Sequence, residues 1–164
     1  MIYLELLKAL EEKQIHYVIV GGLAVILHGF ARMSIDLDLA VSLDTSNLRH
    51  FLNVVKELGY RSRLPVPLED FADPVKRKTW IEQKNMLVFS LVHEKRAQEL
   101  IDIFVQDIVP FEELYARHVS ISLGAIHAKV ASIQDLKKMK ELAGRPQDLQ
   151  DIAALNEIER RQNK

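Results

Sequence analysis

The sequence predicts a mixed α+β domain: a mixed β-sheet flanked by helices, with a further helical segment at the carboxyl terminus. Three observations predict it. Short β-branched apolar runs recur along residues 16–130, amphipathic stretches of helical period separate them, and residues 132–161 keep the helical period to the end. At 164 residues the chain is long enough to bury a core and too short for two independent ones, so a single domain over residues 1–164 is expected. Its core should span residues 15–130 and its carboxyl-terminal helices residues 132–161. Hydrophobic residues make up 48% and charged residues 27%, a balance that excludes a disordered or collagen-like chain.

Ile2, Leu6, Leu7 and Leu10 recur at helical spacing among Glu5, Lys8, Glu11, Glu12 and Lys13, which predicts a surface helix. This acidic start lacks the basic-then-apolar order of an export signal. His16–Val20 is a short β-branched strand, Gly21-Gly22 ends it, and Leu23 to His28 suits a short buried helix. The two glycines also break the most apolar stretch well short of the roughly 20 residues a bilayer requires, so no membrane span is expected. Ile35–Val41 alternates apolar and acidic residues, as a strand with one buried and one polar face does. Asp44-Thr45-Ser46 offers caps for a helix through Leu58, with Gly59 at its end.

From Arg61 to Lys84, Pro65, Pro67 and Pro74 interrupt any long element. The mixture of Arg63, Glu69, Asp70, Asp73, Lys76, Arg77, Lys78 and Trp80 reads as an irregular, partner-facing segment. Met86–Val92 and Leu100–Val105 are strand-like, the second carrying Asp102 alone between Ile101 and Ile103. Val119–Leu123 and Ile126–Val130 flank Gly124 as two more strands. Ser132 with Asp135 caps a helix that runs to Gly144, and Pro146 starts the last helix, Gln147 to Arg161.

Charge and composition narrow the chemistry. A net charge of -1 offers no global positive field for nucleic acid. Without cysteine, thiolate metal sites and cysteine nucleophiles are excluded, and a reducing cytoplasmic setting is expected. Asp36 and Asp38 stand two apart on a strand, so both side chains share one face at about 7 Å between Cα atoms. Left unpaired at about 4 Å, two carboxylates repel by roughly 4 kcal/mol at an effective dielectric of 20, a conflict that a bound cation resolves. Oxygen ligands without sulfur suit Mg²⁺, which keeps several waters and shares its shell with phosphates. Gly21-Gly22, between a strand and a helix, offers unhindered backbone N–H groups to a phosphate.

The complete run Val20-Gly-Gly-Leu-Ala-Val-Ile-Leu-His-Gly-Phe-Ala-Arg-Met-Ser-Ile-Asp-Leu-Asp-Leu-Ala-Val41 resembles the signature of the nucleotidyltransferase superfamily, the group related to the palm of DNA polymerase β. Within it, the His-Gly, Arg, Ser, Asp-Leu-Asp-Leu order is similar to small bacterial AbiEii-like and MenT-like proteins. Leu136-Lys-Lys-Met-Lys-Glu-Leu-Ala-Gly-Arg-Pro-Gln-Asp-Leu-Gln-Asp-Ile-Ala-Ala-Leu155 is similar to their paired-helix motif, in which a lysine and an arginine precede Asp-x-x-Asp.

The resemblance implies a polymerase β palm-like fold and transfer of a nucleoside monophosphate from an NTP to an acceptor hydroxyl, releasing pyrophosphate. Carried over by position, Asp36, Asp38 and Asp102 would hold Mg²⁺ or Mn²⁺, with Asp102 also serving as base. Gly21 and Gly22 would touch the triphosphate, and Arg32, Ser34 and Lys140 would bind its oxygens. Asp148 and Asp151 would orient Lys140 or Arg145, whereas His28 reads as a packed histidine. The acceptor would be tRNA or other RNA, a protein or a small molecule, with Lys76, Arg77 and Lys78 touching an RNA backbone and residues 65–80 shaping the pocket. A cognate antitoxin is the implied partner. Two alternatives stand beside this: a non-catalytic nucleotide-binding regulator or toxin–antitoxin component, and an antibiotic nucleotidyltransferase, against which the short length without an added substrate domain argues.

Overall fold

The computed structural model describes all residues from Met1 to Lys164. Helix α1 (Leu4–Glu12) precedes β1 (Tyr17–Val20), α2 (Gly21–Leu27), β2 (Leu37–Val41) and α3 (Thr45–Glu57). After β3 (Tyr60–Ser62) and a 3₁₀ turn (Leu68–Ala72) come α4 (Pro74–Lys84), β4 (Val88–His93), β5 (Leu100–Phe104) and α5 (Phe111–Ala116). The chain ends in β6 (Val119–Leu123), β7 (Ile126–Val130), α6 (Ile133–Ala143) and α7 (Pro146–Gln162). No helix is long and apolar enough to cross a membrane.

The seven strands form one mixed sheet in the order β3-β4-β5-β2-β1-β7-β6. β2 runs antiparallel to β1 and parallel to β5, so the end of β1 and the starts of β2 and β5 lie at the same end of these central strands. Side chains alternate strictly in β2, β4 and β5: Leu37, Leu39, Val41, Phe89, Leu91, Ile101 and Ile103 are buried on one face, while Asp38, Ser90 and Asp102 are only partly covered on the other. The buried face packs beneath α3 and α4, where Trp80 stacks on Phe89 with ring centroids 5.2 Å apart. A single cluster of 39 buried hydrophobic residues runs from Tyr3 to Leu155, so both carboxyl-terminal helices belong to the same core as the sheet.

The proline-interrupted segment is more ordered than its composition suggests. Asp73 caps α4 by accepting from Val75 N–H at 2.9 Å, and Pro74 occupies the first helical turn, where its missing N–H costs nothing. Arg77 is buried, donates to the Phe71 carbonyl at 2.6 Å and lies over the Phe71 ring. It is a packing residue and not a contact for an RNA backbone. Lys76 pairs with Asp70 at 2.7 Å, and no residue from 65 to 80 lines the cavity that the acids share. The short β3 and α5 escaped the sequence reading because neither is long enough to show a period.

The strand carrying the acids begins at Leu37, so Asp36 lies just ahead of it. Its start is fixed by Tyr3. The buried Tyr3 hydroxyl shares its proton between the carbonyls of Ile35 and Leu100, at 2.7 and 2.8 Å, and accepts from Leu100 N–H at 3.2 Å. One side chain therefore clamps the approach to β2 against the first residue of β5.

Candidate active site

Register builds the acidic wall. Asp38 pairs with Val20 on one side and with Asp102 on the other, so the two carboxylates stand in adjacent strands on the same face. Asp36, two residues before Asp38, extends that face past the strand end. Ser90, opposite Asp102 in β4, donates its hydroxyl to Asp102 Oδ1 at 2.5 Å and fixes that carboxylate.

The glycine pair lets the backbone come close. Gly21 has φ +67, and a Cβ there would collide with the Asp38 carboxylate. A Cβ on Gly22 would stand 2.8 Å from Ser34 Oγ and 3.2 Å from Arg32 Cζ. Side chains at either position would therefore displace the acid or the two residues that precede it.

A cationic wall faces the acids. Lys140 of α6 is buried, with Nζ 2.6 Å from Asp151 Oδ2 and 3.4 Å from Asp148 Oδ1 on α7. Arg32 donates to the same Asp151 oxygen, so Asp151 holds two cations at once. Arg145 donates from Nε to Asp148 Oδ2 at 2.8 Å, and the Asp148 carboxylate in turn accepts from the Arg145 backbone, closing the cap of α7. Burial pushes the Asp148 pKa up, but the hydrogen bonds and charge of Arg145, with Lys140, outweigh it and hold the carboxyl below its usual range.

These two walls enclose a cavity of about 520 Å³ that all eight residues singled out from the sequence line: Gly21, Gly22, Arg32, Ser34, Asp36, Asp38, Asp102 and Lys140. Of the fifteen lining residues only Met33, Ile35 and Phe104 are hydrophobic. Five are carboxylates and three are cationic. Asp148 and Asp151 are each paired with cations, whereas none of Asp36, Asp38 and Asp102 has a cationic partner within 4.0 Å. Burial, then Asp102 and Asp36, raises the Asp38 pKa to about 6, against the opposing pull of the Gly22 backbone and Lys140. Burial and Asp102 raise Asp36 as well, with Arg63 opposing.

Three acidic or imidazole groups are nowhere drawn together tightly enough to hold a metal ion by themselves. The three acids share a face and a cavity without forming a preformed cage. His28 stands apart from the acids, its Nε2 2.8 Å from the Ala131 carbonyl, where it ties α2 to the end of β7.

Arg145 entered the sequence reading only as a group to be oriented, while Gln147, Phe104, Met33, Ile35 and Ser90 were not singled out. Phe104 was accessible to the period-two rule, since it lies two residues beyond Asp102 and shares its face. Ser90 was not, because its role depends on the pairing of β4 with β5.

No curated protein matches the chain by sequence. Among solved structures the chain is similar to the lincosamide antibiotic adenylyltransferase LnuA in its lincomycin-bound form, with TM-score 0.59 and 16% identity over 93% of each chain. It is also similar to ANT(2")-Ia in complex with adenylyl-2"-tobramycin, with TM-score 0.58 and 15% identity over 94% of this chain and 89% of that one. Likeness at such identity is likeness of fold, and the mixed sheet with its flanking helices is the polymerase β palm-like fold of nucleotidyltransferases. A family model described as "Nucleotidyltransferase of unknown function (DUF6036)" matches residues 2–160, which takes in the glycine turn, the acidic strands and both helices of the cationic wall, and the chain belongs to that family.

Proposed function

We propose that this nucleotidyltransferase moves a nucleoside monophosphate from an NTP to an acceptor hydroxyl, releasing pyrophosphate. The observation that carries the reading is the in-register pair Asp38 and Asp102 beside the Gly21-Gly22 turn, facing a wall of Lys140, Arg32 and Arg145 across one cavity. An NTP brings several negative charges to a pocket already holding more carboxylates than cations. That surplus, made of oxygen donors without a cationic partner, fits Mg²⁺ or Mn²⁺, and Asp36, Asp38 and Asp102 would hold it. When bound, such an ion neutralises the acids and draws electron density from the phosphates.

The chain's own residues supply the rest. The Gly22 backbone, Ser34, Arg32 and Lys140 receive the triphosphate oxygens, and Asp151 keeps Arg32 and Lys140 aimed at them. Asp102, steadied by Ser90, takes the proton of the acceptor hydroxyl as the acceptor oxygen bonds to the α-phosphorus. The bond from that phosphorus to the bridging oxygen breaks, and pyrophosphate leaves with its electron pair.

The test is transfer of α-labelled NTP in the presence of Mg²⁺ to lysate, RNA and small hydroxyl compounds. Asp102→Asn should lower transfer about 10²–10⁴-fold with the melting curve retained. Undiminished labelling by that variant, or absence of NTP binding to the wild type, would overturn the reading. For a nucleotide-binding regulator the double change Asp36→Asn with Asp38→Asn would instead leave partner binding intact.

Two acceptor readings follow. The AbiEii-like and MenT-like motifs favour tRNA or a protein acceptor and a cognate antitoxin. The structural neighbours favour a small molecule, since one acts on lincosamide antibiotics and the other carries an adenylylated tobramycin. Length no longer argues against this, because the chain spans 93% of the lincosamide enzyme.

A further inference from the structure

The partly exposed face of the sheet does not end at the acids. Beyond Asp38 and Asp102 the same transverse row continues through Ser90 of β4. It then reaches Arg63, whose N–H donates to the Ser90 carbonyl at 2.9 Å, one step past the last registered pair of β3 with β4. Four side chains, Asp38, Asp102, Ser90 and Arg63, thus follow one another across four neighbouring backbone segments on one face. Arg61, two residues earlier on β3, projects from the same face and is also exposed.

These two arginines differ from the cations across the cavity. Arg32, Lys140 and Arg145 each have a carboxylate partner, whereas Arg61 and Arg63 have none within 4.0 Å. Between them and Asp102 the face is floored by Val88 and Val92 of β4 on either side of Ser90, while Leu100 and Phe104 flank Asp102 on β5, all four apolar residues partly exposed. The cavity wall that suits the triphosphate lies on the α6–α7 side, so a second substrate whose hydroxyl meets Asp102 extends toward β4 and β3.

We infer that the open face of β5, β4 and β3 is the acceptor subsite, and that the acceptor carries an oxyanion, phosphate or carboxylate, bound by Arg63 and Arg61. This rests on the proposed transfer reaction and specifies its second substrate. Two strand spacings, about 10 Å, separate the backbones of Asp102 and Arg63, a span that the long guanidinium side chain shortens. A sugar or polyol of ordinary size with its oxyanion at the end opposite the reacting hydroxyl bridges that distance. A polycationic aminoglycoside meets two uncompensated positive charges there and is disfavoured.

Calorimetry on the full chain tests this without turnover, using glucose 6-phosphate, glucuronate, neutral glucose and tobramycin as probes. Glucose 6-phosphate and glucuronate separate the phosphate from the carboxylate source. At least one of the two should bind more tightly than glucose and tobramycin, and Arg63→Ala with Arg61→Ala should weaken it about 10-fold or more while NTP affinity holds. Arg63→Lys should recover part of the loss, since charge returns without the planar fork. Equal binding of charged and neutral probes, or binding indifferent to both arginines, overturns the inference. Loss of NTP labelling with probe binding intact would overturn the transfer reaction instead, so the two failures are distinguishable.

Discussion

Asp38 is held against its own stability. Its carboxyl is raised to about 6 by burial and by Asp102 and Asp36. A raised carboxyl opposes folding only once it is ionised, so the penalty is absent below the ordinary value near 3.9 and complete above about 6. Asp38→Asn should accordingly raise the melting temperature of the metal-free protein by about 2–6 °C at pH 7.5 and change it little at pH 4. Differential scanning calorimetry at the two pH values measures this, and a lower midpoint at pH 7.5 would contradict it. The glycine turn shows the opposite economy. Gly21→Ala combines positive φ with a clash against Asp38, so it should cost about 1–3 kcal/mol and abolish transfer together. Chemical denaturation and the labelling assay read the two effects separately. Both residues were legible from the sequence because chemistry and spacing marked them, whereas the reason for Gly21 was not. The collision that forbids a side chain there is with a residue seventeen positions away, brought close by β1–β2 pairing.

Helices α6 and α7 act as one element. Lys140 on the first is buried against Asp148 and Asp151 on the second, so the positive wall exists only when the pair is docked. Lys140→Met keeps much of the side-chain volume but leaves Asp151 with Arg32 alone. NTP affinity should fall about 10-fold or more and thermal stability should drop, since an ion-paired buried carboxylate loses a partner. Isothermal titration with a non-hydrolysable NTP checks the first effect; unchanged affinity would remove Lys140 from the phosphate site. Both helices were readable from their starts, Ser132 with Asp135 for the first and Pro146 for the second, whereas the Asp148 cap of α7 came only with the structure. The segment around α4 was misread because its three prolines look like a loop. Two of them lie in the connection between β3 and the 3₁₀ turn, and the third sits where a helix tolerates proline.

One hydrophobic cluster joins every layer, from Tyr3 in the first residues to Leu155 in α7. Unfolding should therefore be a single transition. Trp80 fluorescence reports on α4 and far-ultraviolet dichroism on all helices, and the two curves should coincide in urea. An early transition confined to dichroism would mark α6 and α7 as a separable unit. The order of elements, the mixed sheet and the single core were all open to sequence patterning, because alternation and helical stripes survive without coordinates. Strand order was not, since β5 inserts between β4 and β2 through pairings that leave no local trace. For that reason the place of Arg63 and Ser90 in line with the acids emerged only with the fold.

The bond between Arg32 and Asp151 joins residues 119 positions apart. During synthesis Arg32 and the glycine turn leave the ribosome first, and Asp151 follows about 6–24 s later at ordinary elongation rates. Until then Arg32 lacks the carboxylate that holds it in place and Lys140 lacks both of its own, so the cationic wall is assembled only as α7 emerges.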